Sequence, residues 1–481
     1  MGKKYEASFE SLGNYECTSW LADAKLGMWS HWGPQSVPMA GDWYARHMYD
    51  EGSRQYLYHL RHYGHPSKFG YKDLVKLWKA ENFDPDALMD KYYKAGARYF
   101  IGQAMHHDHF FNFPSKLNRF NSMQVGPMKD ISGLWKKAAD NMRMNFGLTE
   151  HLGATFSWWG GNKGADAYGP YAGVPYDGND PEYRDFYLDN YEHADKSARP
   201  WYTSNEKYHD YWLAVMKELI DLYTPDMLYS DGPLPFGDRD GAESDSAFRH
   251  GLEAVAYLYN KSAEKYGENR AAYTQKCRNP RIHRIGVMDI EKSQLPGIMD
   301  NVWQTDTCIG NWFYDATQPF KKPGHIIEML VDIISKNGVM LLNILQRPDG
   351  SIDDEADYIL KEMAAWYAIC GEGVYGTRPW EHYGEGPSGV VIDGFKEESV
   401  NWTSSDYRFV KKGSTLYAFM MRAPENGAAV IKSLAGGARV ASVRLLGAGG
   451  VEFAQNYGIL TVKLPEKMPT PYVNCFALEL G

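Results

Sequence analysis

Two carboxylates in this chain are placed where they could do chemistry. Asp231 closes the segment Pro225-Asp-Met-Leu-Tyr-Ser-Asp-Gly-Pro, in which a short apolar run stops at a carboxylate and a Gly-Pro turn follows. Glu291 comes further along, in Met288-Asp-Ile-Glu-Lys. Two carboxyl groups that face each other are the usual means of cleaving a glycosidic bond. The alternative for Asp231 is a turn or helix-capping role, because Asp before Gly-Pro is common in turns.

The surrounding pattern predicts how Asp231 is presented. Helical spacing over residues 209–224 precedes an apolar strand at 227–229, so the carboxylate stands at the C-terminal end of that strand, as catalytic groups of a (β/α) barrel do. The same order recurs, with predicted helices at 84–95, 130–142 and 326–336 and predicted strands at 99–101, 144–148 and 339–344. Continuous apolar strands alternating with amphipathic helices indicate a parallel sheet covered on both faces. We expect a (β/α) barrel.

The pattern changes after about Gly376. Gly- and Pro-containing turns separate short strands predicted at 415–420, 441–446 and 458–464, with no helical stretch between them. Turn signals about every ten residues are typical of an antiparallel sandwich. We therefore predict a barrel domain over residues 1–378 and a C-terminal antiparallel β-sandwich domain over residues 379–481.

Composition narrows the class of partner. The 481 residues suffice for a barrel and one further domain. Aromatic residues make up 15%, which suits stacking on sugar rings or, as the plainer alternative, a core of bulky side chains. The net charge of −10 argues against nucleic acid as a partner. No apolar run is long enough to span a membrane, and residues 1–8 lack the apolar segment of a signal peptide. The compartment stays open.

Further polar side chains cluster after the predicted strands. The candidates for holding a substrate are His31, Asp42, Trp43, His106, His107, His109, Glu150 and His151. Two adjacent histidines followed by Asp108 also suggest a metal site. Neighbouring side chains on a regular strand point to opposite faces, however, and no third ligand follows at a recognised spacing. The five dispersed cysteines add no zinc motif. We therefore expect hydrogen-bonding histidines, and neither a metal nor another cofactor.

Several ordered motifs give the chain a family resemblance. It resembles glycoside hydrolase family 29, the α-L-fucosidases, over roughly residues 18–375. The motifs that carry the resemblance are Gly27-Met-Trp-Ser-His31-Trp-Gly, Asp42-Trp43-Tyr44-Ala-Arg46, Met105-His106-His107-Asp108-His109-Phe110, Pro114-Ser115, Asn121-Ser122, Gly126-Pro127, Pro296-Gly-Ile, Trp303-Gln-Thr-Asp-Thr and the segment from Leu330 to Ile344. The resemblance implies a retaining exo-glycosidase that releases terminal α-L-fucose from an oligosaccharide or polysaccharide.

The resemblance also implies roles for single residues. Asp231 matches the family's nucleophile, and Glu291 matches its acid/base position. His31, Trp43, His106 and His107 match residues that hold the hydroxyls of the sugar. The family's sugar-contacting arginine has no clean counterpart, and Lys276 and Arg278 are the nearest candidates.

Departures from the family pattern keep the substrate open. Asp42 replaces the usual Glu, His109 replaces a Gly, and Met105 replaces a Lys. Thr149 and Glu150, followed by His151, stand where tyrosines are common. An added donor and a shortened acid could admit a hydroxymethyl group, so an exo-α-L-galactosidase acting on L-galactose-containing galactans is an alternative. A non-catalytic carbohydrate-binding protein with the same fold is a second one.

Overall fold

The first part of the chain forms a closed parallel barrel. The computed structural model describes residues 4–194, 200–237, 244–277, 279–390, 397 and 399–481. Eight strands in these residues pair in chain order, and the last pairs with the first to close the ring. They are Leu26–Ser30 (β1), Tyr99–Gln103 (β2), Asn145–Glu150 (β3), Met227–Ser230 (β4), Ala272–Gln275 (β5), Val287–Asp289 (β6), Trp303–Cys308 (β7) and Gly338–Asn343 (β8). The predicted barrel is confirmed.

Helices occupy most of the connections between the barrel strands. Across the described ranges they are Phe9–Leu12 (α1), Ser19–Ala24 (α2), Tyr44–His47 (α3), Arg54–His62 (α4), Tyr71–Leu74 (α5), Pro85–Lys94 (α6), Ile131–Asn141 (α7), Leu152–Trp158 (α8), Arg184–Tyr187 (α9), Glu206–Tyr223 (α10), Arg249–Tyr266 (α11), Pro280–His283 (α12), Pro323–Ser335 (α13) and Asp354–Cys370 (α14). In these same residues, no helix combines the length and apolarity needed to cross a membrane.

Local sequence sets the ends of these helices. The side chain of Asp84 accepts a hydrogen bond from the Ala87 N–H at the start of α6, and Asp130 does the same for Gly133 at the start of α7. Both aspartates therefore satisfy backbone donors that the first helical turn leaves free. Gly96, just after α6, has a φ of +107°, a conformation that favours glycine over other residues. Capping and glycine signals thus placed these helices within a few residues of their observed bounds.

The C-terminal part is antiparallel, as predicted. Its strands are Arg378–Glu385 (β9), Tyr407–Lys412 (β10), Thr415–Met420 (β11), Ala428–Ile431 (β12), Val440–Leu445 (β13), Gly449–Gly450 (β14), Phe453–Asn456 (β15), Ile459–Lys463 (β16) and Asn474–Leu480 (β17). One sheet has the order β14-β13-β17-β11-β10-β9, and a smaller one has the order β12-β16-β15. Apolar side chains such as Phe409, Leu416 and Leu460 form a separate core here. The change of architecture falls between α14 and β9, close to the proposed boundary at residue 378.

Candidate active site

The C-terminal ends of the barrel strands surround a cavity of about 340 Å³. Most of its lining is aromatic or ionisable: Trp29, His31, Asp42, Trp43, His106, His151, Trp201, Tyr229, Asp231, Gly232, Lys276, Glu291, Asp306 and Trp312. Seven of the predicted site residues therefore meet in one place. This is the end of a (β/α) barrel at which active sites are built, because loops from all the strands converge there.

A lysine connects the two predicted catalytic carboxylates. Lys276, which follows β5, donates one hydrogen bond to Oδ1 of Asp231 at 2.7 Å and another to Oε2 of Glu291. Because each such bond spans about 3 Å, the two bridged oxygens lie within about 6 Å of each other. The other oxygen of Glu291, Oε1, accepts a hydrogen bond from the Trp312 indole at 3.0 Å. The carboxyl groups thus approach the separation of about 5 Å that retaining glycosidases use.

The surroundings push the pKa values of the two carboxyl groups apart. Burial alone would raise the pKa of Asp231, but the charge of Lys276 and the imidazole of His107 outweigh it and hold this pKa well below its ordinary value. Burial raises the pKa of Glu291, Lys276 opposes the rise, and the charges of Asp306 and Asp231 add to it. A pair in which one carboxyl stays ionised and the other tends to keep its proton is suited to nucleophilic and acid roles.

Four histidines form the wall beside Asp231. His31, His106 and His151 line the cavity, and burial lowers the pKa of each, to about 3 for His151, so their rings are neutral near pH 7. His107 lies behind Asp231, with Nδ1 2.7 Å from the carbonyl oxygen of His151 and Nε2 3.2 Å from Asp231 Oδ2. Neutral imidazoles both donate and accept hydrogen bonds, as sugar hydroxyls require.

The segment after β2 explains how two adjacent histidines reach one site. Within it, Met105 makes only an isolated bridge to Phe111, so the regular strand alternation has ended before His106. The expectation that neighbouring side chains point to opposite faces of a strand therefore does not apply here. His31, His106 and His151 bring one nitrogen each within 4.8 Å of one another, an arrangement that can hold a divalent metal ion. Two-carboxylate chemistry needs no such ion.

Asp42 and Trp43 enter the cavity from the loop before α3. Trp43 has a φ of +58°, a left-handed conformation that a bulky residue rarely adopts and that tends to occur at functional sites. Burial raises the pKa of Asp42 to about 7, with the backbone N–H of Trp43 acting against the rise and the charge of Glu291 adding to it. This acid therefore changes its protonation state near neutral pH, unlike an ordinary aspartate.

Besides His107, two predicted contact residues lie outside the cavity lining. His109 faces away: its ring nitrogens lie 2.8 Å from the Phe186 carbonyl oxygen and 2.9 Å from the Tyr211 hydroxyl. Its φ is +57°, so the left-handed backbone explains why a glycine is usual at this position. The idea that His109 adds a donor to the sugar pocket is corrected accordingly.

Glu150 is the second residue placed elsewhere. It lies at the end of β3 and is fully buried, where Oε2 accepts hydrogen bonds from the Trp212 indole at 2.9 Å and the Gly153 N–H at 3.2 Å. These donors anchor the loop and helices next to β3. Its predicted direct contact with the sugar is likewise corrected to support from behind the wall, since it is not among the residues that line the cavity.

Several lining residues were not singled out from the sequence. Trp29 and Asp306 lie inside motifs that were recognised, and Tyr229 lies in the strand before Asp231, so their positions at strand ends were the available signal. Trp201 and Trp312 come from loops with no motif of their own. Of the two candidates for the missing arginine, Lys276 is in the site, and Arg278 is outside the described residues.

Known proteins share this sequence and fold. A family model described as alpha-L-fucosidase matches residues 1–372. The tissue alpha-L-fucosidase of Homo sapiens is 27% identical over 442 residues, which cover 90% of this chain and 81% of the human one. That of Rattus norvegicus is 27% identical over 448 residues, covering 89% and 81%. The structure of Thermotoga maritima alpha-fucosidase in complex with fucose superposes with a TM-score of 0.74 at 24% identity, over 99% of this chain and 100% of that one.

Proposed function

Because the chain belongs to the alpha-L-fucosidase family, we propose that it is a retaining exo-glycosidase that releases terminal α-L-fucose from oligosaccharides or polysaccharides. The observation that carries this proposal is the pair Asp231 and Glu291, bridged by one lysine at the C-terminal end of the barrel. The two bridged oxygens lie within about 6 Å of each other, whereas inverting enzymes hold their two carboxyl groups roughly 6.5–9.5 Å apart to leave room for a water molecule.

The proposed reaction has two steps. In the first, Asp231 attacks the anomeric carbon and forms a glycosyl ester while Glu291 donates a proton to the departing oxygen. In the second, the ionised Glu291 takes a proton from water as that water attacks the ester, and the sugar leaves with its original anomeric configuration. Water attacks the ester from the position that the first product has vacated, next to Glu291. Both steps therefore use the same two side chains.

The cavity size supports cleavage at a chain end. Its volume, about 340 Å³, is near the lower limit of roughly 300–1,000 Å³ for small-molecule pockets. Such a space suits one monosaccharide rather than a length of polysaccharide. Aromatic side chains on its walls, among them Trp29, Trp43 and Trp312, offer the flat apolar surface on which sugar C–H faces stack.

The alternatives considered from the sequence lose support. The L-galactose hypothesis depended mainly on a donor from His109, and both nitrogens of that ring have partners away from the cavity. A non-catalytic sugar-binding protein would not need two carboxylates held across the cavity with pKa values displaced in opposite directions. We therefore keep α-L-fucose as the substrate.

The test is turnover of matched 4-nitrophenyl glycosides. We expect the α-L-fucoside to be hydrolysed with a kcat/KM at least about tenfold above that of the α-L-galactoside, because pocket groups that match one substituent reject its analogue. Nuclear magnetic resonance of the first sugar released should show the α-anomer. A preference for the galactoside would replace the proposed substrate, release of the β-anomer would exclude retention, and no turnover of any glycoside would favour the binding protein.

The plot of kcat/KM against pH should be bell-shaped. Activity falls at low pH when Asp231 takes up a proton, and it falls at high pH when Glu291 loses its proton. Since the first pKa is held below its ordinary value and the second is raised, the plateau between them should be wide. Asp42, with a pKa of about 7, would add a shallow inflection near neutrality if its charge affects binding.

A further inference from the structure

The ammonium group of Lys276 lies within 4 Å of three carboxylates. It bonds to Asp231 at 2.7 Å and to Glu291. It also lies 3.8 Å from Oδ2 of Asp306, a residue of β7. The charge of the buried Asp289 also acts on it, and the nearby rings of His31 and His151 are neutral. Two further titratable groups, Asp42 and Lys292, interact electrostatically with Glu291. One cation therefore has three partners within reach and forms short bonds with two.

The bonding of Glu291 shows why this arrangement opposes the acid step of catalysis. Both of its oxygens accept hydrogen bonds from N–H donors, Oε1 from Trp312 and Oε2 from Lys276. The cation of Lys276 lowers the pKa of this carboxyl group and so favours its ionised form. An acid catalyst must carry a proton, so moving the cation away from Glu291 favours protonation of the leaving group.

Lys276 is the donor that can move. Its ammonium ends a flexible four-carbon chain, whereas the Trp312 indole is part of the cavity wall. The sugar also needs the space between the two carboxylates, which is where the bridging ammonium now lies. The shift toward Asp306 needs only about 1 Å, because the ammonium already lies 3.8 Å from its Oδ2 and a hydrogen bond spans about 3 Å.

Asp306 is prepared to receive the ammonium. Its Oδ2 accepts the Tyr229 hydroxyl at 3.0 Å, and its carboxyl group shares a hydrogen bond with that of the buried Asp289. Oδ1 of Asp289 accepts from Gln304. Burial, together with the charge of Asp306, raises the pKa of Asp289 well above its ordinary value. Asp289 thus holds a proton, and Asp306 is the member of the pair left with the charge.

We infer that Lys276 is a positioning residue whose ammonium moves from Glu291 to Asp306 when the sugar enters, and that Glu291 takes up a proton from solvent as it is released. The balance is simple: Lys276 stays protonated, the carboxylate of Glu291 becomes a carboxylic acid, and the complex gains one proton. The inference rests on the proposed function and adds to it a coupling between substrate binding and the protonation of the acid.

Calorimetry with L-fucose measures that proton directly. Binding is followed in buffers of different ionisation enthalpy, at a pH on the basic limb of the kcat/KM profile, where Glu291 of the free enzyme is ionised. We expect uptake approaching one proton per bound fucose, because the pKa of one group rises on binding. Zero uptake by a wild-type enzyme that hydrolyses the aryl fucoside would overturn the inference while leaving the proposed function intact. Absence of both fucose binding and turnover would remove the proposed function itself.

Variants separate this coupling from a merely structural role. Asp306→Asn removes the second partner but keeps the side-chain shape, and we expect proton uptake to fall to less than about a third and fucose binding to weaken. Lys276→Met should also abolish uptake, yet shift the basic limb of kcat/KM to higher pH because Glu291 loses its cation. Asp177→Asn is the control, since this buried acid accepts a hydrogen bond from the Tyr49 hydroxyl and is not among the residues that line the cavity.

Each outcome supports or overturns the coupling. Proton uptake unchanged in Asp306→Asn would show that the ammonium does not use this residue. A basic limb in Lys276→Met that stays in place would show that Lys276 does not control Glu291. If Asp306→Asn fails to fold, as circular dichroism would reveal, Lys276→Met is sufficient on its own, since its two expected effects need no second partner. The Asp177→Asn control should bind fucose with wild-type uptake.

Discussion

Two buried ion clusters in this chain are built in opposite ways. At the junction of the barrel with the C-terminal sheets, Asp332 on α13 accepts a 2.5 Å bond from Arg408 on one oxygen and a 2.5 Å bond from Lys336 on the other. All three side chains are at most 3% exposed. In the cavity, one lysine faces three carboxylates. The first cluster has more cations than anions, and the second has fewer.

The first cluster is suited to stabilising the structure, and the second is suited to catalysis. Each oxygen of Asp332 has its own cationic donor, Arg408 on β10 or Lys336 just after α13, so the arrangement holds β10 against α13. The cavity cluster lacks cations, and one of its carboxyl groups must therefore keep or exchange a proton. A shortage of cations among buried carboxyl groups is costly for folding, but it raises the pKa of one of them so that it can act as an acid. The following changes test that division.

The largest expected effect is the loss of turnover in Asp231→Asn. The amide of Asn cannot form the glycosyl ester, so kcat should fall by about 10⁴-fold or more. The free energy of unfolding should stay the same or rise, because the change removes a charge from a site that has too many of one sign. Steady-state kinetics and thermal unfolding measure the two effects on one sample.

The alanine variant provides the control for that result. Asp231→Ala leaves space beside the anomeric carbon, and added azide should restore part of the activity with aryl fucosides by attacking in place of the carboxylate. Near wild-type kcat in either purified variant would end the assignment of Asp231. A fall of several degrees in Tm for Asp231→Asn would instead show that the cavity cluster, like the junction, stabilises the fold.

The second prediction concerns the junction. Asp332→Asn removes the anion between two buried cations, and breaking a buried pair from one side costs about 3–5 kcal/mol. Denaturant unfolding should show this loss, while kcat per folded molecule stays unchanged because the residue touches nothing in the cavity. Glu372→Gln is a matched control: it breaks a half-exposed pair with Arg444 and should cost no more than about 1 kcal/mol. If the two variants lost equal amounts of unfolding free energy, the buried ion cluster at the junction would be no more stabilising than an exposed ion pair.

The sequence carried much of the fold but less of the site. Helix limits followed from capping aspartates and from Gly96, and the barrel followed from apolar strands between amphipathic helices. These are local signals, spread over a few residues. Three of the predicted cavity residues, His31, His151 and Asp231, stand directly after a strand, where the barrel itself fixes their direction.

What the sequence could not give depends on contacts between distant segments. Trp312 is recognisable as part of the site only once its indole is seen on Glu291, and Asp306 only once it is seen beside Lys276. His109 misled for the opposite reason: its place in the chain suggested the pocket, but its direction is set by Phe186 and Tyr211, which come from later segments. Side-chain direction in loops is a tertiary property.

The third prediction tests the role of Glu291 by leaving group. Glu291→Gln should slow natural or alkyl fucosides by about 10²–10⁴-fold, because their departing oxygen needs a proton. Aryl fucosides with an acidic phenol should be affected far less in the first step. The basic limb of the kcat/KM profile should disappear, since the group whose deprotonation causes it is gone. Equal losses on both substrate classes would point to a binding role, and Asp289 would then be tested in the same way.

The smallest effect is expected at His109. Its backbone conformation and its side-chain hydrogen bonds have opposite effects on the stability of the His109→Gly variant. The φ of +57° costs a histidine energy that it does not cost a glycine, but His109→Gly also leaves the Phe186 carbonyl and the Tyr211 hydroxyl without their partner. We expect a net loss of about 1–3 kcal/mol in unfolding free energy. The ratio of kcat/KM for aryl α-L-fucoside to α-L-galactoside should change less than about twofold, since the ring does not face the cavity.

His109→Asn, which tolerates a left-handed backbone and keeps a polar side chain, serves as the control and should lose less stability. A tenfold shift in that ratio for His109→Gly would return the residue to the sugar pocket and revive L-galactose as the substrate.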